Sequence, residues 1–375
     1  FSGTTPGLTA MDQDGRALLP AVLFMDGRSG KQSVAIRQRF GEQYLLEQTA
    51  NLPVSGGCSL SSILWIKENY PDIFQKTAIF GHSNTFMVKR LTGRFAMDPT
   101  SASLSCLYNT FVNDMTWNAD IANEFGVLDK LPPLMPTYAS PGGLTEQAVN
   151  ELGLKSGIPV LIGGNDAVLA AFSGDIIHPG EISNINGTCE ITATCVDRCI
   201  PSPNYNIRTQ VLPGLWLTFF VLNTGGKALE WFHSNFCPDM PPERFYNDYL
   251  NEAIDAYLEG GQQESYIPYL SGSRYSTELL TASFSKLNLE TTRERLLGAM
   301  VKGNCQYHKE NLDEVAAHVP LHSTIHLTGG SATPALIRAK KIWMRDCDYV
   351  FQEQSSVKGA SLLADYYFET KGKNF

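Results

Sequence analysis

One carboxylate, Asp166, stands where α/β proteins tend to do their chemistry. Residues 160–162 form a short apolar run behind Gly157 and Pro159, the pattern of a strand buried on both faces. Gly163 and Gly164 allow a sharp turn at the strand end, and Asp166 opens an Ala-rich helix over 167–172. A carboxylate beyond the carboxyl end of a buried strand points into the crevice where open α/β sheets hold ligands. Asp at a helix start ordinarily caps that helix, and this segment alone favours the cap.

Three glycine turns add a second kind of chemistry. Strands over 181–185 and 190–194 flank Asn186-Gly187, a primed-turn signal, and Thr188 and Cys189 follow it. Successive N–H groups and a hydroxyl at such a tip make an anion-binding concavity suited to phosphate. A strand over 324–327 runs into Thr328-Gly329-Gly330-Ser331, with a helix over 334–345 that carries Pro early, where its missing N–H does no harm. The glycine pair permits close approach of a ligand, and the helix start favours negative charge. Gly225-Gly226 precedes Lys227-Ala228-Leu229-Glu230-Trp231 in the same manner. Each turn alone reads as an ordinary loop. Two strand–Gly-Gly–helix units, one in each half, point to two related domains facing a shared cleft.

These segments fall in the order of a known family. Ser2-Gly3-Thr4-Thr5-Pro6-Gly7-Leu8 is followed by Asp12 and Gly15, then by Leu23-Phe24-Met25-Asp26-Gly27-Arg28. Leu91-Thr92-Gly93 with Asp98, Trp117, Leu131-Pro132 and the Gly-Gly-x-Asp-Ala stretch ending at Ala167 come next. Gly187-Thr188-Cys189, Gly225-Gly226, Tyr269-Leu270-Ser271-Gly272-Ser273-Arg274, Gly329-Gly330-Ser331 and Gly359-Ala360-Ser361-Leu362-Leu363-Ala364 complete the series. The ordered set resembles the FGGY carbohydrate kinases, relatives of xylulose and ribulose kinases within the sugar-kinase and actin superfamily.

The resemblance implies an α/β fold of two ribonuclease H-like (actin-like ATPase) domains flanking a cleft. It implies a substrate-side domain over 1–179 and a nucleotide-side domain over 180–375, with ATP and Mg2+ as cofactors. Asp166 matches the general base that takes the proton from a sugar hydroxyl as it attacks the γ-phosphoryl group, a reaction that depends on positioning and charge stabilisation. Gly187 and Thr188 match the phosphate-binding hairpin, where Cys189 replaces the family's Ser. Gly329, Gly330 and Ser331 match the segment bordering the adenosine, and Gly225 and Gly226 a nucleotide-side turn. Thr4 and Thr5 fall with Asp166 on the sugar side. No metal ligand is assigned to this chain.

Two departures qualify the match. The family's amino-terminal phosphate hairpin, Asp-Ile-Gly-Thr-Thr, is expected upstream of Phe1 and is not in this sequence. Xylulose kinases often carry Gln-Met-His where Thr4-Thr5-Pro6 stands, and Lys-Asp-Tyr where Ser83-Asn84-Thr85 stands. Exchanging an imidazole for hydroxyls changes which sugar hydroxyl pattern is bound. A ketopentose is therefore the expected acceptor, with xylulose the lead candidate. A non-catalytic sugar- or nucleotide-binding relative, acting as sensor or assembly subunit, is the alternative, and the retained Asp166 counts against it.

Bulk properties agree with a cytoplasmic small-molecule enzyme. At 375 residues two domains are the natural expectation. No apolar run nears 18 residues, so no membrane partner is expected, and the net charge of −9 argues against nucleic acid. Eight cysteines without a C-x-x-C pair read as reduced thiols. No Walker-type, Rossmann, nucleophile-elbow or H-E-x-x-H motif is present. His308, His318, His322 and His326 do not have the spacing of a ligand set and read as surface or loop residues. Helices are expected over 61–68, 84–91, 290–315 (the longest of the second domain) and 355–368. A homodimer remains open.

Overall fold

The computed structural model describes residues 1–371; the last four positions of the expected second domain, 372–375, lie outside the described residues. The fold is α/β, and the chain divides into two compact units. The first holds Phe1–His178, Cys195–Thr218 and the segment from Gln354; the second holds Pro179–Thr194 and Phe219–Glu353. The chain therefore crosses between units more than once, after 178, 194, 218 and 353, whereas the sequence suggested a single crossing at 179/180. Among the described residues no helix is long and apolar enough to cross a membrane.

In the first unit Gly7–Met11 is the middle of a three-stranded antiparallel sheet between Val22–Leu23 and Ile79–Gly81. All five of its residues are buried. Leu8 and Phe80 of this sheet join a core with Ile36, Leu45, Leu60 and Ile63, drawn from the helices Gly30–Phe40, Glu42–Thr49 and Ser59–Asn69. Burying side chains of this size contributes about 1.5–3 kcal/mol each relative to exposure. Ser2–Gly3 pairs in parallel with Gly164–Asn165, which brings the Thr4–Thr5 loop to the start of the helix Asp166–Ser173. The strand Asn206–Thr209 is tied to this unit by the buried side chain of Asn51. Its Nδ2 donates to the Ile207 carbonyl at 2.8 Å, and its Oδ1 accepts from the Ile207 N–H at 3.0 Å. One amide thus satisfies both backbone groups of Ile207, as a neighbouring strand would.

The helix Asp166–Ser173 lies against Ser356–Lys371. A Cβ at Gly359 would stand 2.1 Å from the Leu169 carbonyl oxygen, so glycine at that position is a condition of the approach. This accounts for the glycine that opens the 359–364 segment.

The second unit contains a mixed sheet ordered Trp216–Leu222, Glu190–Val196, Ile182–Asn186, Thr324–Thr328, Asp348–Phe351; its first two strands run on past the unit boundaries at 194 and 218. Ile182–Asn186 and Glu190–Val196 form an antiparallel hairpin. Thr324–Thr328 pairs in parallel with both Ile182–Asn186 and Asp348–Phe351, and parallel pairing needs a crossover. The helix Pro334–Trp343 supplies the second one. Arg293–Ala316, at 24 residues, is the longest helix described in this unit. The expected helices at 61–68, 84–91 and 355–368 are observed as Ser59–Asn69, Ser83–Thr92 and Ser356–Lys371.

The hairpin tip differs from expectation. Asn186 pairs with Glu190, so the loop is the three residues 187–189, and Gly187 does not take the positive φ of a primed turn. Strand pairing carried one residue further than the Asn-Gly signal suggested, because Asn186 is held from its side chain by Asn184.

Gly329 is among the tightest points of this unit. Its φ is +97°, and a Cβ there would lie 2.2 Å from the Asn186 carbonyl oxygen. Gly329→Ala is expected to lower stability by at least about 1–3 kcal/mol from backbone conformation alone, read as a depressed Tm. Gly330→Ala, where an added Cβ meets nothing within 4 Å, should melt within a degree or two of the parent.

Candidate active site

Asp166 is not the cap of its helix. That duty falls to Asn165, whose Oδ1 accepts from the Val168 N–H at 3.1 Å. Asp166 is the first helical residue and half-buried. Its Oδ1 accepts from the Ala167 N–H at 2.7 Å and from Asn165 Nδ2 at 3.1 Å, while its Oδ2 accepts from the Thr4 hydroxyl at 3.0 Å. One oxygen is thus fixed by the backbone and the other is presented to a hydroxyl. Thr4 is exposed; Thr5 is buried, with its Oγ1 accepting from Asn165 Nδ2 at 2.6 Å. Ser83 and Asn84 adjoin this loop. A Cβ at Gly3 would meet Asn84 Oδ1 and Ser83 Oγ, and Asn84 Nδ2 donates to the Gly164 carbonyl at 3.1 Å. The structure therefore brings together the two segments that differ from xylulose kinases.

Beneath this loop lie residues that sequence reading missed or undervalued. The Thr100 hydroxyl donates to Asp98 Oδ1 and accepts from the Asn165 N–H at 2.8 Å. Asp98 caps its own short helix by accepting from the Ser101 N–H at 2.9 Å, and complete burial pushes its carboxyl above the usual carboxylate range. Arg208, buried within the strand Asn206–Thr209, donates to Asn165 Oδ1. A charged residue inside an otherwise buried strand was the available signal for Arg208.

The second unit gathers the three glycine turns. The Gly226 N–H donates to the Gly187 carbonyl at 2.9 Å, Lys227 N–H to the Thr188 carbonyl at 3.2 Å, and Ser331 N–H to the Asn186 carbonyl at 3.2 Å. Gly187 N–H is also occupied, by the Cys189 carbonyl at 3.0 Å. The turns thus spend several N–H groups locking one another. Among the described residues those of Thr188 and Gly330 donate to no protein partner. Arg274 closes the hairpin from the side, through Nη2 to Cys189 Sγ at 3.2 Å and Nε to Asn223 Oδ1. A pocket of about 370 Å3, open to solvent, starts at Gly225, Gly226 and Ser331 and runs between Leu229, Val301 and Leu336.

A buried charge cluster floors this pocket. Glu190 pairs with Lys340, Asn184 Nδ2 donates to Glu190 Oε1 at 3.1 Å, and His308 Nε2 lies 3.6 Å from the same oxygen. His308 Nδ1 is 2.9 Å from the Thr192 hydroxyl. His308 is fully buried, which corrects the surface or loop role read from sequence; it lies on the inner face of Arg293–Ala316. Burial would push the Glu190 carboxyl up, but the Lys340 charge and the hydrogen bonds outweigh it and hold it at about 2. Burial pushes the His308 imidazole down to about 4. Among the described residues no group of three or more His, Cys, Asp or Glu side chains could hold a metal ion.

One α/β unit presents a carboxylate to a hydroxyl, and the other holds three linked glycine turns. Residues 1–173 match the family model described as the FGGY family of carbohydrate kinases, N-terminal domain. The chain is 25% identical over 375 residues to the xylulose kinase of Bacillus subtilis, covering 98% of this chain and 73% of that protein. It is 25% identical over 269 residues to the autoinducer-2 kinase of Klebsiella pneumoniae, covering 70% of this chain and 48% of that one. The crystal structure of gluconate kinase from Lactobacillus acidophilus superimposes with a TM-score of 0.88 at 19% identity, covering 98% of this chain and 75% of that one. Residues 1–173 thus match the N-terminal domain of the FGGY carbohydrate kinases, and the fold is the two-domain actin-like ATPase fold. The protein is an ATP-dependent enzyme.

The charge cluster sets an acid limit on stability. Both groups have folded pKa values below their ordinary 4.5 and 6.5, so the unfolded chain binds more protons in between. Stability is fully present above pH 6.5, falls through 6.5–4 as His308 protonates on unfolding, and falls further through 4.5–2 with Glu190. The slope is at most about 1.4 kcal/mol per pH unit for each group. Buried His82 is likewise pushed down to about 4, so His308→Leu should shrink the limb between 6.5 and 4 on a plot of Tm against pH by about half and keep the lower limb.

Proposed function

We propose that this kinase transfers the γ-phosphoryl group of ATP to a terminal hydroxyl of a ketopentose, with xylulose the lead candidate, and that Asp166 is the general base. The observation that carries the proposal is the division of labour at the helix start. Asn165 caps the helix, and Asp166 Oδ2 accepts from a hydroxyl at 3.0 Å. A sugar hydroxyl in place of the Thr4 hydroxyl would be held by the same oxygen, oriented for attack, and would lose its proton to it as the new O–P bond forms. Thr4 with Ser83 and Asn84 offers hydroxyl and amide groups suited to a polyhydroxylated acceptor. The names of similar proteins span xylulose, autoinducer-2 and gluconate kinases, which supports a small polar acceptor and keeps the choice among them experimental.

On the nucleotide side, Gly187, Thr188, Gly225 and Gly226 would receive the phosphates, and Gly329, Gly330 and Ser331 would border the adenosine. The unspent N–H of Thr188 suits a phosphate oxygen. Mg2+ would arrive with the nucleotide. Among the described residues there is no cluster of acidic or imidazole ligands for it, and Mg2+ commonly takes most of its oxygens from phosphates and water.

The test is ATP consumption by the protein with magnesium across ketopentoses, polyols and aldonates. Turnover is expected with one ketopentose, and Asp166→Asn should lower kcat about 10²–10⁴-fold while the sugar dissociation constant moves by less than about threefold. Full activity in that variant would sink the assignment of the base. Turnover restricted to an aldonate or polyol would move the acceptor class.

A further inference from the structure

The wall of the pocket in the second unit holds a buried carboxamide that the protein itself leaves unused. Asn304 lies on the long helix Arg293–Ala316, one turn beyond Val301 on the same face, and both line the pocket. Its side chain is 8% exposed, and its Oδ1 is buried with no hydrogen-bond partner. Among the described residues no partner of its Nδ2 is found either. A buried amide in this state is unusual, because leaving a buried acceptor unsatisfied is destabilising in the absence of compensation. The other charged groups at the wall, Glu190 and Lys340, are engaged with each other. Leu229, Val301 and Leu336 provide apolar surface beside the amide.

An apolar slot with one unspent carboxamide at its edge has the chemistry of a purine site. A carboxamide presents an acceptor and a donor side by side. Adenine offers the complement at its N6–H and N7 edge, and the two pair bidentately. Guanine and hypoxanthine carry acceptors at both O6 and N7, so Oδ1 would face a lone pair and stay unsatisfied. We infer that Asn304 reads the adenine edge of the nucleotide and makes this kinase selective for ATP over GTP and ITP. This deepens the reading of the pocket as the nucleotide site and rests on it. Asn304 is assigned no part in the transfer step.

Nucleotide binding, measured by calorimetry with ADP, GDP and 7-deaza-ADP, tests the inference without requiring turnover. The parent should bind ADP more tightly than GDP by about 5–150-fold, the worth of one bidentate pair, and should weaken severalfold for 7-deaza-ADP, which lacks the N7 acceptor. Asn304→Leu, which keeps the size and removes the amide, should bring the three affinities within about twofold of one another. With an acceptor sugar in hand, that variant should lose the preference for ATP over GTP in kcat/KM while the sugar KM stays unchanged. If Asn304→Leu does not fold, the 7-deaza comparison on the parent decides alone. Equal binding of ADP and 7-deaza-ADP by the parent would overturn the inference, as would an ADP:GDP ratio unchanged in Asn304→Leu. Failure of every nucleotide to bind would overturn both this inference and the nucleotide reading of the pocket. Selective ADP binding without sugar turnover would leave Asn304 supported and tell only against the proposed acceptor.

Discussion

The geometry around Asp166 depends on the side chain of Asn165. That buried amide accepts from the Val168 N–H and from Arg208, and donates to the Thr5 hydroxyl and to Asp166 Oδ1. Its backbone N–H is taken by Thr100. An amide can serve two donors and two acceptors at once, which a carboxylate cannot. Asn at this position therefore caps the helix and leaves the following carboxylate free to meet a hydroxyl. Removing the amide would release the cap, the Thr4–Thr5 loop and the orientation of Asp166 together, because all three converge on one group.

The second unit solves a different problem with the same economy of groups. Its three turns come from distant parts of the chain, and they are held by N–H groups donating from one turn to the carbonyls of another. Gly329 can lie against Asn186 only because it has no Cβ. The Glu190–Lys340 pair beneath them is a buried ion pair, an arrangement in which losing one partner is far more costly than never having had either. His308 stays neutral beside it, since burial outweighs the attraction of the carboxylate.

Much of this was legible in the chain. The helices Ser59–Asn69, Ser83–Thr92, Arg293–Ala316 and Ser356–Lys371 follow from apolar periodicity and fell within a few residues of expectation. The glycine pairs marked the turns that meet in the second unit. Less was legible where a side chain had two plausible partners. On its own segment Asp166 read as a helix cap, and only the family resemblance made it a base; nothing local says that Asn165 takes the capping role. Asn186-Gly187 read as a two-residue turn, and the pairing of Asn186 with Glu190 overrode it. His308 read as peripheral because spacing was judged against metal ligands, whereas its partners, Thr192 and Glu190, lie more than a hundred residues away in sequence.

What the sequence by itself determined is the resemblance to a family, the α/β class and the ordered set of residues on which that resemblance rests, because these depend on residue type and local spacing. Only the tertiary structure decided which of those groups are spent and which are free. The amide of Asn165 is spent on the cap, the Gly187 and Gly226 N–H groups on joining turns, and Lys340 on Glu190. Asp166 Oδ2 is turned to a hydroxyl, and the amide of Asn304 is left unpaired at the wall of a pocket. The physical reason is that a hydrogen-bonding group has a fixed capacity, and its partners are chosen by proximity in space, which residue order does not report.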